Sequence, residues 1–420
     1  MKDRDVKTKN WVAPGSLSGA IDVPSSKSIA LRYLLLASVA EGESIVRNVT
    51  YCEDVLALLS NFESLGITHS RNDSTLTIKG GLWNRVENIN CGESGFLART
   101  LPFLCAAQRM YCKITGSGTL LRRDLSDLVS VFQAAGGENV LSGSQLPLQL
   151  LPFTIKEEIA VSKQTSSQAL SGLLLALPLT NRQIGIKIDK QPSGGYIVLT
   201  KDAMRKFGAS FREKSGSGDI LVFSPKRYVG CDVSVPGDWS GVAQLVAALQ
   251  VGDIVLLRGI EYESAQPDRS ILELLDRLEI AHCWVNSGLE VRMSHRPSRF
   301  SFDATNCPDL FPALAAMAAQ CEGESRIVGV GRLRNKESDR GTALLAMLNG
   351  FGIQCRIDGD TLYVVGGTAH PTGVIPCAHD HRIAMAAGAI ALRCSTGAHL
   401  DDTECVRKSF PYFFDILSHK

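Results

Sequence analysis

The sequence predicts an α/β fold built from a unit of roughly 65 residues that recurs six times along the chain. Each unit is expected to hold a strand, a short polar segment, a helix of small apolar residues, a second strand, a second helix and a hairpin. Three observations predict this organisation: the six polar segments, the apolar runs that follow them, and the glycine turns later in the units. The α/β class follows because strand and helix signals alternate along the chain.

Six polar segments mark the units. They are Ser25-Ser26-Lys27-Ser28, Gly92-Glu93-Ser94-Gly95, Thr165-Ser166-Ser167-Gln168, Gly237-Asp238-Trp239-Ser240, Asn306-Cys307-Pro308-Asp309 and His379-Asp380-His381-Arg382. Each precedes an Ala- and Leu-rich run, at 29–40, 96–107, 169–177, 242–249, 310–319 and 383–392. Runs with so little charge on any face are typical of buried helices, and the Ser, Thr, Asp and Gly before them are helix-start signals. If the six helices share one orientation, their N-termini favour anions in the space that they face.

The second half of several units is expected to contain a helix that ends at a glycine turn. Such helices are predicted at 53–66, 124–136, 201–208 and 337–352. Alternating apolar residues at 73–78 and 359–365 predict hairpins beyond two of them.

Length and composition indicate a large enzyme with almost no net charge. A chain of 420 residues is too long for one core and predicts two domains. The 44 Lys and Arg residues nearly balance 43 Asp and Glu residues, so we expect no nucleic-acid partner and no membrane partner. Neither a cleavable leader nor an apolar run of spanning length is evident, which predicts a cytoplasmic location. We also expect a monomer.

The cysteine and histidine patterns argue against disulfides and metals. The twelve cysteines are scattered without a C-x-x-C pair, so most of them are expected to be buried, reduced thiols. His379, Asp380 and His381 are adjacent, and adjacent residues rarely converge on one ion, so no metal is expected.

Candidate binding residues in the first half of the chain carry positive charge or hydroxyl groups. Lys27 is a cation at the positive end of its helix dipole, which is unfavourable unless an anion binds there. We therefore expect an anion between Lys27 and Arg32. Taken alone, this segment also fits an ordinary serine cap with a solvated lysine. Arg99 and Arg123 add two guanidinium groups, although both also fit surface positions. The segment Ser166-Ser167-Gln168 suits a polyol phosphate and equally suits a plain helix cap.

The second half supplies titratable groups. In Lys336-Glu337-Ser338-Asp339-Arg340 the spacing predicts a helix start in which Lys336 and Arg340 share a face and Glu337 lies next to it. A solvated, salt-bridged helix start is the alternative. Arg382 stands in the sixth polar segment, and Lys408 precedes what is predicted to be the last helix.

Taken together, these segments resemble the 5-enolpyruvylshikimate-3-phosphate (EPSP) synthase family from about residue 15 to the end of the chain. The resemblance rests on eight motifs in order: 24–28 with Arg32, Gly92-x-x-Gly95-x-x-x-Arg99, 166–168, 236–238, 308–309, 336–340, 380–385 and 408–411. It implies a two-domain inside-out α/β barrel with three repeats in each domain, which closes on its substrates. It also implies transfer of the enolpyruvyl group of phosphoenolpyruvate to the 5-hydroxyl of shikimate 3-phosphate in the shikimate pathway, with release of phosphate and without a cofactor.

The resemblance also assigns residues to the two substrates. Shikimate 3-phosphate is expected to contact Lys27, Ser28, Arg32, Ser166, Ser167, Gln168, Ser193, Tyr196, Asp309 and Lys336. Phosphoenolpyruvate is expected to contact Lys27, Gly95, Arg123, Gln168, Arg340, Arg382 and Lys408. Many cations are needed because both substrates carry a phosphate.

Three residues are expected to move protons in an addition followed by an elimination. Asp309 is expected to take the proton of the 5-hydroxyl group. Glu337 and Lys27 are expected to act at the methylene carbon of phosphoenolpyruvate, and the sequence leaves open which of them delivers the proton. Positioning and charge stabilisation are expected to supply much of the rate.

Several positions depart from the family pattern. The second polar segment carries Glu93 and Phe96 where the family usually has Asn-Ala-Gly-Thr, and Thr100 stands where a proline is usual. Arg332 occupies the place of an asparagine that touches shikimate 3-phosphate. Glu93 is expected to need a cationic neighbour such as Arg99.

Two other functions stay open at this point. One is the sister enolpyruvyltransferase that acts on UDP-N-acetylglucosamine, but the stretch 115–123 lacks the cysteine of its mobile loop. The other is a phosphate-binding paralogue without turnover, for which the altered second segment is the only indication.

The chain is expected to form a discontinuous first domain from residues 1–23 plus 236–420, on the phosphoenolpyruvate side. Residues 24–235 are expected to form a second domain on the shikimate 3-phosphate side.

Overall fold

The computed structural model describes residues 10–137, 144–162, 165–189, 194–215 and 218–418. Contacts divide the chain into two compact units. Unit 1 comprises Met1–Pro24 and Pro236–Lys420, and unit 2 comprises Ser25–Val235. Within the described residues, no helix is long and apolar enough to cross a membrane.

The described residues contain 21 strands and 12 α-helices. The strands are β1 (Trp11–Val12), β2 (Ser18–Asp22), β3 (Glu43–Arg47), β4 (Thr68–Asn72), β5 (Thr75–Lys79), β6 (Asn88–Asn90), β7 (Cys112–Thr115), β8 (Leu148–Leu150), β9 (Glu158–Val161), β10 (Ile184–Asp189), β11 (Phe211–Ser215), β12 (Gly218–Phe223), β13 (Asp232–Ser234), β14 (Ile254–Arg258), β15 (Ala281–Val285), β16 (Gly288–Arg292), β17 (Ser301–Asp303), β18 (Gly323–Val328), β19 (Cys355–Asp358), β20 (Thr361–Gly366) and β21 (Ala398–His399). The helices are α1 (Lys27–Val39), α2 (Glu53–Leu59), α3 (Gly95–Ala107), α4 (Ser126–Ala134), α5 (Ser167–Ala176), α6 (Gly194–Lys206), α7 (Trp239–Ala248), α8 (Ile271–Arg277), α9 (Phe311–Gln320), α10 (Arg340–Gly350), α11 (His381–Arg393) and α12 (Phe413–Ser418). Short 3-10 helices lie at Gly118–Arg122, Leu177–Thr180, Pro267–Ser270, Pro308–Leu310, Val330–Leu333 and Glu404–Lys408.

Four mixed sheets of the described chain share one strand arrangement, which confirms the α/β class. Their orders are β13-β3-β5-β4 and β9-β10-β12-β11 in unit 2, and β2-β14-β16-β15 and β17-β18-β20-β19 in unit 1. In each sheet the first two strands are parallel, the third runs antiparallel to the second, and the fourth forms an antiparallel hairpin with the third. The sheet β6-β7-β8 repeats the parallel and antiparallel pairings with three strands.

The helices that follow the polar segments are buried along nearly their whole length, as predicted. These are α1, α3 and α5 in unit 2 and α7, α9 and α11 in unit 1. In unit 1 the three buried helices pack against one another at the centre of that unit's core. The serine and aspartate caps are confirmed at four helices, where Ser94, Ser166, Asp238 and Asp380 accept a hydrogen bond from a backbone N–H of the first turn.

The predicted glycine turns are confirmed, whereas two predicted helix starts are wrong. Gly66, Gly136, Gly208 and Gly352 all adopt positive φ after their helices, between 69° and 104°. Helix α6 begins at Gly194 instead of Lys201, because apolar residues such as Ile197 and Leu199 already pack into the core of unit 2. The helix predicted from residue 337 begins at Arg340, because the Asp339 side chain caps it.

Candidate active site

Asp309 lies at the centre of a charged cluster in unit 1. It belongs to the short 3-10 helix that precedes α9, and it is about one-sixth exposed. Its Oδ1 accepts hydrogen bonds from Arg340 Nη1 at 2.8 Å and Lys336 Nζ at 3.2 Å. Its Oδ2 accepts from Arg382 Nη2 at 2.9 Å. Three cations therefore contact one carboxylate.

Arg340 connects Asp309 to two further carboxylates. Its Nε donates to Asp380 Oδ2 at 2.7 Å and its Nη2 to Glu337 Oε2 at 2.6 Å. The side chain is 1% exposed. Burial alone would lower its pKa, but the carboxylates of Asp380, Glu337 and Asp309 raise the pKa of Arg340 above its ordinary value. The guanidinium thus remains charged and fixed among three acids.

The same contacts determine the ionisation of Asp309. Burial works to raise the pKa of this carboxyl, but the nearby charges of Arg382, Lys336 and Arg340 outweigh burial and hold its pKa well below the usual value. Burial also lowers the pKa of Lys336. Asp309 is consequently ionised at neutral pH.

The predicted helical face of Lys336 and Arg340 is wrong. The Asp339 side chain accepts a hydrogen bond from the Thr342 backbone N–H at 3.3 Å, so Asp339 is the N-cap and the helix begins at Arg340. Lys336 and Glu337 lie in the preceding bend instead of on a helix. The two cations nevertheless meet, because both donate to Asp309.

Asp380 and Arg382 come from the start of α11. The Asp380 carboxylate caps this helix by accepting from the Arg382 backbone N–H at 3.0 Å, and it also accepts from Ser338 Oγ at 3.2 Å. The Asp380 cap therefore fixes the backbone of Arg382 at the first turn of α11. Lys408 is buried in the 3-10 helix Glu404–Lys408, which packs against α11.

Asp268 is a buried carboxyl group of this cluster that the sequence did not reveal. Ser240 Oγ donates a hydrogen bond to its Oδ2, and its Oδ1 is buried without a hydrogen-bond partner among the described residues. Burial, together with the nearby charge of Asp309, raises the pKa of Asp268 to about 7. The only signal in the sequence is an Asp-Arg pair in a loop, which is common on surfaces.

Arg32 forms the core of a second cluster, in unit 2. It is 2% exposed, and its Nε donates to Thr200 Oγ1 at 2.9 Å. Its Nη1 donates to the Ser28 carbonyl oxygen at 2.8 Å, and its Nη2 to Ser171 Oγ at 3.2 Å and the Tyr196 carbonyl oxygen at 3.3 Å. Burial lowers the pKa of Arg32 to about 10, which still leaves the group charged at neutral pH. The structure therefore brings Ser28, Arg32 and Tyr196 together.

Lys27 pairs with an acid that was absent from the sequence prediction. Its Nζ lies 3.1 Å from Asp54 Oδ2, and both side chains are at least 88% buried. Asp54 lies in the first turn of α2, where a carboxylate also interacts favourably with the helix dipole. In the sequence the acidic pair Glu53-Asp54 indicates only a helix start, and nothing in its spacing indicates an ion pair with Lys27.

Gly95, Arg123 and Gln168 approach one another in unit 2. A Cβ at Gly95 would lie 2.7 Å from Arg123 Nη1, 3.4 Å from Arg99 Nη1 and 3.7 Å from Gln168 Oε1. Only a glycine leaves these side chains undisturbed. Ser166 Oγ accepts from the Gln168 backbone N–H at 3.2 Å, so this serine acts as a cap, whereas Ser193 lies outside the described residues.

The departures from the family pattern have structural counterparts. The Arg32 guanidinium lies over the Phe96 ring, 4.6 Å from its centroid. Thr100 Oγ1 donates to the Phe96 carbonyl oxygen at 2.9 Å, and the helix holds a proline at Pro102. Arg99 Nε donates to Asp127 at 2.8 Å, while the Glu93 carboxylate accepts a hydrogen bond from a hydroxyl group, that of Thr119.

Among the described residues, no three His, Cys, Asp or Glu side chains are arranged to hold a metal ion. The charged groups of both clusters are instead arginines, lysines and carboxylates, which suit anionic substrates and proton transfer.

Comparison with known proteins identifies the family. The model of the EPSP synthase (3-phosphoshikimate 1-carboxyvinyltransferase) family matches residues 12–417. The chain belongs to the EPSP synthase family. The resemblance inferred from the motifs is thus confirmed. A 3-phosphoshikimate 1-carboxyvinyltransferase from Clostridium kluyveri is 31% identical over 407 residues, which are 96% of this chain and 95% of the relative.

Two solved structures have the same fold as this member of the EPSP synthase family. The 2.37 Å structure of EPSP synthase from Acinetobacter baumannii has a TM-score of 0.80 at 24% identity and covers 97% of each chain. The enolpyruvyl transferase NikO from Streptomyces tendae has a TM-score of 0.75 at 17% identity, covering 97% of this chain and 96% of its own. At these identities the likeness concerns the fold alone.

Proposed function

We propose that this chain transfers the enolpyruvyl group of phosphoenolpyruvate to the 5-hydroxyl of shikimate 3-phosphate and releases phosphate. The observation that carries the proposal is the Asp309 centre, in which three cations hold one ionised carboxylate. The match to the family over residues 12–417 supports the choice of substrates.

The reaction begins with an addition in which atoms and charges balance. The 5-hydroxyl oxygen forms a bond to C2 of phosphoenolpyruvate while its proton passes to Asp309. C3 receives a proton from Glu337 or Lys27 and becomes a methyl group. The product of this step is a tetrahedral ketal that still carries the phosphate group.

The elimination reverses the proton transfers. C3 loses a proton, the double bond forms again, and the bond between C2 and the phosphate oxygen breaks, so phosphate leaves. In the addition the donor at C3 acts as an acid, either Lys27 as the ammonium group paired with Asp54 or Glu337 as a protonated carboxyl group beside Arg340. In the elimination the same group, which has given up its proton, accepts one from C3.

Binding of the anionic substrates is expected to make Asp309 a stronger base. In the free protein, Arg382, Lys336 and Arg340 stabilise its charge and make it a weak base. Phosphate and carboxylate groups of the substrates compete for these cations, so the pKa of Asp309 rises when they bind. Asp309 becomes a better proton acceptor only when substrate is present.

The remaining residues bind the two substrates. For shikimate 3-phosphate we propose Lys27, Ser28, Arg32, Ser166, Ser167, Gln168, Ser193, Tyr196, Asp309 and Lys336. For phosphoenolpyruvate we propose Lys27, Gly95, Arg123, Gln168, Arg340, Arg382 and Lys408. The buried arginines are suited to this role because a planar guanidinium binds phosphate and carboxylate groups through paired hydrogen bonds.

We also propose that the architecture is the inside-out barrel of six repeated units, three in each domain. The four sheets with one strand arrangement, two in each unit, support this view.

Phosphate release with a panel of acceptors tests the proposal. Purified protein is mixed with phosphoenolpyruvate and either shikimate 3-phosphate, shikimate, UDP-N-acetylglucosamine or no acceptor. The proposal predicts release with shikimate 3-phosphate alone. Release with the nucleotide sugar would indicate the sister activity, and binding of shikimate 3-phosphate without release would indicate a paralogue that has lost turnover.

A further inference from the structure

The Thr119 hydroxyl group connects Glu93 to Arg123. Thr119 Oγ1 donates a hydrogen bond to Glu93 Oε2 at 3.1 Å and accepts one from Arg123 Nη2 at 3.3 Å. A hydroxyl can do both at once, so it joins the carboxylate to the guanidinium. The result is a chain from Glu93 through Thr119 to Arg123.

The local backbone is shaped to accommodate this chain. The 3-10 helix Gly118–Arg122 contains Thr119, and Arg123 directly follows its last residue in extended conformation, so the two residues are four positions apart and their side chains are hydrogen-bonded. Gly118 has φ of +53°, and a Cβ there would overlap the Glu93 carboxylate. Position 118 therefore requires a glycine both for its conformation and for the space that Glu93 fills.

The other end of the Arg123 guanidinium is directed to Gly95. Its Nη1 is the nearest atom to the position that a Cβ of Gly95 would take, at 2.7 Å. Arg123 is 8% exposed, whereas the side chains of Glu93 and Thr119 are half-buried. A long buried arginine loses considerable side-chain entropy when it is fixed, so a hydrogen-bonded partner at its far side favours one orientation.

We propose that Glu93 is a positioning residue for Arg123, and that through Thr119 it holds the guanidinium over Gly95 to receive the anionic end of phosphoenolpyruvate. This inference rests on the proposed function, in which Gly95 and Arg123 bind that substrate. It gives a role to a carboxylate that would otherwise only repel an anion.

Two substitutions at Glu93 separate positioning from repulsion. Glu93→Gln removes the charge but keeps an oxygen that accepts from Thr119, whereas Glu93→Ala removes both. If Glu93 positions Arg123, we expect the KM for phosphoenolpyruvate to rise about tenfold in Glu93→Ala, as expected for loss of a hydrogen-bonded link, and to change little in Glu93→Gln. If Glu93 only repels the substrate, both variants lower that KM.

Thr119 provides an independent test of the link. Thr119→Val should reproduce the effect of Glu93→Ala, and Thr119→Ser should retain the wild-type KM because it keeps the hydroxyl. The double variant Glu93→Ala/Thr119→Val should be no worse than either single variant, since both break one connection. Additive effects would overturn the proposal. Glu87→Ala, which removes an exposed acid of the same unit, is the matched control.

Two further measurements distinguish this proposal from a failure of the proposed function. Affinity for shikimate 3-phosphate, measured by calorimetry, should be the same in wild type and Glu93→Ala. Crystal structures of Glu93→Ala and Thr119→Val should show Arg123 in a different side-chain conformation, whether or not the protein turns over these substrates. An unchanged Arg123 in both variants would overturn the positioning role.

Discussion

Arg382 Nη2 donates a hydrogen bond to Oδ2 of Asp309 over 2.9 Å, whereas Arg340 Nη1 donates to Oδ1 of the same carboxylate. Asp380 orients both arginines: it accepts from Arg340 Nε and caps the helix from which Arg382 extends. The position of Asp309, the proposed base, therefore depends on Asp380, a buried acid to which we assign no substrate contact. Such a supporting carboxylate is typical of preorganised catalytic sites.

The first prediction concerns the two proton-transfer carboxylates. Asp309→Ala and Glu337→Ala should each lower kcat by about 100-fold or more, because each removes a general acid or base. Steady-state phosphate release measures the effect. Glu324→Ala, which removes an acid on a strand of the same unit, serves as the control and should retain kcat. Wild-type kcat in both carboxylate variants would contradict the mechanism.

The second prediction concerns Gly95. In Gly95→Ala the new methyl group would lie 2.7 Å from Arg123 Nη1, so the guanidinium has to move. The KM for phosphoenolpyruvate should rise about tenfold or more, while the KM for shikimate 3-phosphate changes less. Gly185→Ala is the matched control, because its nearest neighbour would be 3.8 Å away. An equal rise in both KM values would show that the whole site, and not Arg123 alone, is disturbed.

The third prediction concerns Arg32. Its buried guanidinium makes four hydrogen bonds within unit 2, and its replacement by alanine should mainly raise the KM for shikimate 3-phosphate, by about tenfold or more. Arg32→Lys should recover only part of this loss, since an ammonium group lacks the planar fork. Initial rates at varied shikimate 3-phosphate measure the effect, with Arg47→Ala as an exposed control. A loss confined to kcat would assign Arg32 a different role.

Sequence reasoning succeeded where the signal is local and failed where it depends on distant partners. The buried helices and their caps follow from apolar runs after residues such as Asp238 and Asp380. The ion pair of Lys27 with Asp54 and the position of Asp268 could not be predicted, since each joins residues from separate segments whose distance only the fold determines. The start of α10 was misplaced because the capping strength of Asp339 competes with the helical tendency of the residues before it.

The fourth prediction is a pH dependence of stability that originates at Asp268. Its pKa is about 7 in the folded protein, against 3.8 for an ordinary aspartate. Between pH 4 and 7 the folded state holds a proton that the unfolded state has lost, so the free energy of unfolding falls as pH rises through this window. Asp309 acts oppositely and only at more acidic pH, because its pKa is lowered.

The Asp268 effect is isolated by comparing wild type with Asp268→Asn in urea at a series of pH values. The variant should lack a decrease of a few kcal/mol that wild type shows between pH 4 and 7. Ser240→Ala keeps the carboxyl group and should retain the decrease. Parallel curves for wild type and Asp268→Asn would mean that Asp268 does not titrate in this range.

The fifth prediction concerns glyphosate, which competes with phosphoenolpyruvate in the EPSP synthase family and needs the bare Cα of a glycine. Phe96 and Thr100 differ from the usual residues, and they hold the first turn of α3 through the ring contact with Arg32 and a hydroxyl bond to the Phe96 carbonyl. Because Gly95 begins this turn, we expect the two substitutions to alter the position of its bare Cα. Inhibition by glyphosate should therefore be weaker than in family members with Thr and Pro at these positions. The double variant Phe96→Thr/Thr100→Pro should be inhibited more strongly, and tight competitive inhibition of the unmodified protein would refute this argument.

The central claim, enolpyruvyl transfer through a methyl-bearing ketal, is tested most directly by NMR of the reaction in D2O. With phosphoenolpyruvate and shikimate 3-phosphate, the account predicts loss of the phosphoenolpyruvate phosphorus signal, appearance of inorganic phosphate, and a new vinyl group that carries deuterium. Deuterium enters because C3 is protonated by solvent-exchanged acids and then loses one of three hydrogens. No phosphate release, or a vinyl product free of deuterium, would contradict the account.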